Sequence, residues 1–146
     1  MSAFHWSARV YWEDTDGGGI VYYANYLKFL ERARTEWLRS LGVSQTVLAR
    51  DEGVVFTVVD LSVEYRRPAR LDDELVITCE PTKTRAASIY FAQRVYRGAL
   101  ADDAGPAEDN VLVKANVRVA CVDAQSLTPR RMPDSLINLL SSKESS

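Results

Sequence analysis

The sequence predicts an α+β fold in which one long helix is wrapped by a five-stranded antiparallel sheet. Three observations carry that expectation. A single apolar stripe of helical period runs from Tyr26 to Leu41, apolar and polar side chains alternate with period two in five other stretches, and short connections between the later stretches favour antiparallel pairing. A chain of 146 residues has the length of one domain and buries well over half of the surface its unfolded form exposes. Residues 1–146 are therefore expected to form one unit, with a frayed tail from about 141.

The first strand is expected from His5 to Glu13, where Trp6, Ala8, Val10 and Trp12 alternate with His5, Ser7, Arg9, Tyr11 and Glu13. It runs into the acidic glycine stretch EDTDGGG at positions 13–19. In the helix, Tyr26, Leu30, Ala33, Trp37 and Leu41 form the apolar face, Lys28, Glu31, Arg32, Thr35, Glu36 and Arg39 the polar one, and Gly42 stops it. Roughly eighteen residues at ~1.5 Å each give ~27 Å, enough for the central element of one core. Ser44 to Gly53 reads as a short second helix with Ser44 as its cap.

Val54 to Arg66 is the next strand, with Val59, Leu61, Val63 and Tyr65 on one face, Asp60, Ser62, Glu64 and Arg66 on the other, and Pro68 beyond its end. Leu75, Ile77 and Cys79 mark a further strand, opposite Glu74, Val76, Thr78 and Glu80, and Ile89, Phe91 and Val95 mark its hairpin partner, ending near Gly98. Ala99 to Asp109 is acidic, contains Gly and Pro, and reads as a loop. Asn110 to Asp123 is the cleanest strand, and Asp134 to Leu140 a short final helix.

Composition excludes several classes of function. With 18 basic and 20 acidic residues, net charge −2 and a pI near 5.4, a whole-chain role on nucleic acid or an anionic membrane is not expected. No apolar run approaches the ~20 residues of a membrane span, and MSAFHWSARV has no apolar leader core, so the expected place is the cytoplasm. Cys79 and Cys121 sit at apolar-face positions and read as buried small hydrophobes, a disulfide being the alternative. They and His5 cannot make a four-ligand zinc site without carboxylates, and neither metal nor cofactor is expected.

His5 is the only imidazole and lies early in a strand, so neither a Ser-His-Asp nor a Cys-His arrangement has a placed base. Gly17, Gly18 and Gly19 fit no phosphate-loop spacing. What remains is a carboxylate beside a helix start, a pairing suited to acyl transfer. A backbone N–H near Tyr22 to Ala24 can hold a thioester oxygen while Asp16 attacks the carbon or deprotonates a water that does. By composition alone Asp14 and Asp16 fit turn and cap roles as well.

The run RVYWEDTDGGGIVYYANYLKFLERARTEWLR, with VEYRRPARLDDEL, AQRVYR, VRVACVD and TPRRMP, resembles the hotdog-fold acyl-CoA thioesterases over nearly the whole chain. The likeness is nearest to their Tol-Pal-associated branch and more distant to 4-hydroxybenzoyl-CoA thioesterase. It implies a hotdog fold, homodimers or homotetramers with active sites at the dimer interface, Asp16 as the catalytic acid, and an oxyanion donor on the backbone near Tyr23. The Tol-Pal-associated branch has His where this chain has Tyr23, and the hydroxybenzoyl type has Tyr.

Lys83 and Arg85, with Arg66, Arg67 and Arg70, could supply cations for coenzyme A phosphates, or form a solvated basic edge. Arg85, Ala86, Ala87 and Ser88 stand where related chains carry Arg-Gly-Thr-Ser, which puts Ser88 in the substrate-binding set. Thr57 is expected to face the acyl pocket. Acyl-CoA is the expected substrate and acyl carrier protein a candidate partner. A non-catalytic acyl-CoA or acyl-carrier-protein binding module serving envelope lipid metabolism is the alternative.

Overall fold

The structure, a computed structural model, describes residues 4–98 and 108–142. Most of the expected acidic loop, at 99–107, and the end of the expected frayed tail, at 143–146, lie outside the described residues. The strands are β1 (Phe4–Arg9), β2 (Val54–Tyr65), β3 (Glu74–Arg85), β4 (Ser88–Arg97) and β5 (Val111–Asp123), paired antiparallel in the order β1-β3-β4-β5-β2. The long helix α1 (Tyr26–Ser40) lies across the sheet, and a final helix covers Asp134–Ser141.

Helix α1 buries Tyr26, Phe29, Leu30, Ala33, Trp37 and Leu38, a stripe wider than the expected one, with Trp37 edge-on to Phe91 of β4 at 5.3 Å. It ends where Gly42 takes φ +84°, so that the N–H of Val43 reaches the carbonyl of Leu38 and that of Gly42 the carbonyl of Arg39. Ser44 caps the next element as expected, accepting from the Val47 N–H at 3.2 Å. A single α turn there passes into a π-helical one ending at Gly53.

The helix is pinned to the sheet by one buried amide. Gln93 is 1% exposed, and its Nε2 donates to the carbonyls of Leu30 (3.0 Å) and Thr78 (3.2 Å), while its Oε1 accepts from Arg34 Nη1 (3.0 Å). Burial pushes the Arg34 guanidinium below its ordinary range.

Three expectations are corrected. The first strand stops at Arg9 rather than Glu13, because Asp14 Oδ2 takes the Tyr11 N–H at 2.9 Å and turns Trp12–Asp14 into a 3-10 turn, leaving Trp12 exposed. In β2, Val59, Leu61 and Tyr65, one face of the expected alternation, are not buried; β2 is an outer strand, and they stay 36–49% exposed. Finally, Val76 is buried rather than polar-facing, in a second small cluster with Tyr96 and Val111. That cluster forms because β5 carries an extra residue, Leu112, where the register with β4 shifts. Both cysteines are buried and free.

Candidate active site

The acid loop is built from its own backbone outward. Asp14 is consumed locally, holding the Tyr11 N–H, whereas Asp16 Oδ1 accepts only the N–H of Gly18, at 2.7 Å, among the described residues and is exposed. Gly17 and Gly19 take φ of +90° and +89°, which an L side chain would strain, so the tight return after Asp16 needs glycine at both. The Asp16 N–H bonds to the Ile20 carbonyl (3.0 Å). Backbone bonds from Val21 to Ala69 (2.8 Å) and from Leu71 to Gly19 (2.9 Å) anchor the loop to the segment after β2.

The chain then enters α1 through a 3-10 turn, Tyr23–Asn25. The Asp14 carbonyl is gripped from this turn twice, by the Tyr22 N–H at 3.1 Å and by Asn25 Nδ2 at 2.8 Å, so the acid loop and the helix start move as one piece. The N–H groups of Tyr23 and Ala24 have no acceptor among the described residues, as expected for the orphan donors of a helix start. They carry the partial positive charge of that end.

Asp16, Ile20, Val21, Tyr22, Tyr23 and Tyr26 line a cavity of about 390 Å³ together with Tyr65, Arg66, Arg67 and Pro68. Tyr26 is fixed by the Ala69 N–H, which its hydroxyl accepts at 2.8 Å. Burial pushes the phenols of Tyr26 and Tyr65 above the ordinary range, so both stay protonated at neutral pH. Arg66 is paired with Glu64, and Arg67 Nη1 donates to the Asp109 carbonyl at 2.8 Å.

Within the chain the site residues named from the sequence fall into two groups. Asp16 and Tyr23 share the cavity above. Thr57, Ser88 and Arg85 lie on one row across the far end of the sheet, Thr57 opposite Ala120, Ala120 opposite Ser88, and Ser88 opposite Arg85. Lys83 is close by, its Nζ 5.5 Å from the Tyr90 ring centre. Thr57 lines a second cavity, of about 280 Å³, with Arg34, Gln45 and Phe91. Among the described residues no cluster of His, Cys, Asp and Glu could hold a metal ion.

Tyr65, Asn25 and Gln93 were not singled out by the sequence pattern. Gln93 had a readable signal, since it takes the inward phase of Ile89, Phe91 and Val95 and so places an amide in the core. Asn25 and Tyr65 had none, because their partners are backbone carbonyls 11 and 42 residues away.

A family model of the thioesterase superfamily matches residues 18–102. The chain belongs to the thioesterase superfamily. It is 46% identical over 134 residues to the acyl-CoA thioester hydrolase YbgC of Escherichia coli O6:H1, covering 92% of each chain. Among solved structures, a probable thioesterase from Bartonella henselae superposes with a TM-score of 0.79 at 34% identity, over 90% of this chain and all of that one. A 1,4-dihydroxy-2-naphthoyl-CoA thioesterase from Synechocystis, at 21% identity and TM-score 0.80 over 96% of each chain, shares the fold. The sheet and helix are thus the hotdog fold of this superfamily, and the thioesterase is an enzyme.

Proposed function

We propose that this thioesterase hydrolyses acyl-CoA to a free acid and coenzyme A. One observation carries the reading: a carboxylate, Asp16, and the unpartnered N–H groups at Tyr23 and Ala24 belong to one braced loop-and-turn unit beside a single cavity. The thioester carbonyl oxygen takes the N–H donors, which hold it more strongly as it becomes an oxyanion. Asp16 then attacks the carbonyl carbon, giving an anhydride that water opens, or removes a proton from the attacking water. In either route the C–S bond breaks and the thiolate leaves as coenzyme A. The matched family span begins after Asp16, so its role rests on this geometry and on the resemblance of the DTD stretch.

The split of the site residues supports a homodimer built on β2. Antiparallel pairing of β2 with the same strand of a second copy covers Val58, Val59 and Leu61. A two-fold axis at Leu61, midway between Thr57 and Tyr65, brings Thr57 of one copy to the Tyr65 end of the other, where Asp16 lies. The row through Ser88 and Arg85, with Lys83 close by, then approaches the same cavity, with cations for coenzyme A phosphates. Pairs of such dimers would give a homotetramer. Sedimentation velocity tests the interface: Leu61→Lys should give inactive monomers, and an unchanged assembly would refute it.

No helix among the described residues is long and apolar enough to cross a membrane. With two buried free thiols, we place the protein in a reducing cytoplasm, acting as one domain, which fractionation and limited proteolysis check. Acyl carrier protein carries the same thioester on a pantetheine arm and is the second substrate to try. The deciding experiment measures thiol release from short, long and aromatic acyl-CoA. Saturable binding without thiol release would establish the binding module instead.

A further inference from the structure

The hydroxyl of Tyr65 takes no part in the chemistry above, yet it makes the one side-chain bond, among the described residues, from the outer strand to the catalytic turn. Tyr65 is the last residue of β2, and its hydroxyl donates to the Tyr23 carbonyl at 3.1 Å. The N–H of Tyr26 reaches the same carbonyl from within the turn. That oxygen belongs to the same planar peptide unit as the Ala24 N–H, and in a trans peptide the two point in opposite directions. Fixing the Tyr23 oxygen toward Tyr65 therefore fixes the Ala24 N–H the opposite way, toward the start of the turn.

We infer that Tyr65 is a positioning residue for thioester hydrolysis: its hydroxyl locks the Tyr23–Ala24 peptide so that the Ala24 N–H is aimed at the substrate carbonyl oxygen. The inference rests on the function proposed above. A hydrogen bond accepted by a peptide carbonyl also polarises the unit and strengthens its N–H as a donor. The Tyr65 ring is held for the task, edge-on to Tyr23 at 6.1 Å and tilted against Tyr26 at 5.7 Å. Because Tyr65 ends the strand whose outer side is unpaired, the same bond joins the state of that edge to the oxyanion donor.

The test is Tyr65→Phe in the full-length chain, assayed by thiol release over a range of acyl-CoA concentration and pH. The ring packing survives and one partly exposed hydrogen bond is lost, so the variant folds and melts close to wild type. A misaimed donor costs less than an absent one, which gives a fall in kcat of about ten-fold with KM nearly unchanged and the pH profile keeping its midpoints. Tyr65→Leu, which also removes the ring, should fall further. Wild-type kcat in Tyr65→Phe, or a loss carried by KM, overturns the inference while leaving thioester hydrolysis standing. A shifted alkaline limb overturns it too, by making the phenol a chemical participant. A wild-type protein that releases no thiol from any acyl-CoA overturns both readings.

Discussion

Gln93→Leu should loosen the helix from the sheet, and its cost can be worked from the contacts. The amide makes two neutral hydrogen bonds, to the carbonyls of Leu30 and Thr78, each worth about 1 kcal/mol. Its bond from Arg34 involves a charged donor and is worth about 1.5–3 kcal/mol. Burying a leucine in place of the amide returns about 1 kcal/mol. The balance is a loss of about 3 kcal/mol, and at ~2–4 °C per kcal/mol in a domain of this size Tm falls by about 6–12 °C. Urea unfolding followed by tryptophan fluorescence measures it. Adding Arg34→Met should restore at least ~1 kcal/mol, because half of the damage is a half-buried guanidinium left without its acceptor. A single variant within ~0.5 kcal/mol of wild type, or a double variant no better than the single, would refute the pin.

Three further outcomes follow from the site and its surroundings. Tyr23→Phe should keep kcat within about three-fold of wild type, because the oxyanion donor proposed here is a backbone N–H and not the phenol; a loss as large as that of an Asp16 variant, measured by thiol release, would contradict this. Neutralising Lys83 and Arg85 together should raise KM for acyl-CoA more than it lowers kcat, and the effect should shrink at high salt and vanish on a phosphate-free thioester. An equal loss on both substrates would remove these cations from the site. Burial lowers the pKa of His5 below its ordinary 6.5, so the unfolded chain protonates first as pH falls. Its contribution to stability is complete above that value and is lost as pH drops through the folded pKa. Urea midpoints should fall less between pH 6.5 and 5 in His5→Gln than in wild type.

Much of the fold was legible because periodicity reports burial directly. The stripe from Tyr26 to Trp37 and the alternation through Leu75, Ile77 and Cys79 placed the helix and the central strands within a few residues. The bulges were not legible. Val59 in β2, Thr82 in β3 and Leu112 in β5 are extra residues whose only mark is a register shift against a neighbouring strand. Nor could alternation tell an outer strand from an inner one, so the apolar face given to Leu61 and Tyr65 lies, in one chain, along an open edge.

At the site, the acid and the glycines could be read because few residue types serve a tight acidic turn before a helix. Asn25 and Tyr65 could not, because a side chain that bonds a distant backbone carbonyl leaves no pattern in the sequence. Of the residues at the far end of the sheet, Ser88 was named by resemblance and Lys83 and Arg85 by their charge, and the fold of one chain sets these and Thr57 apart from Asp16.

Thioester hydrolysis by this site depends on the carboxylate of Asp16 in the mechanism proposed above, and Asp16→Asn is the direct measurement. The amide oxygen still accepts the Gly18 N–H, so the loop keeps its shape, and melting temperature and sedimentation should match wild type. An amide neither attacks the thioester nor takes a proton from water, so kcat for acyl-CoA should fall by more than about 100-fold. Thiol release within a few-fold of wild type from this folded, assembled variant would contradict the assignment.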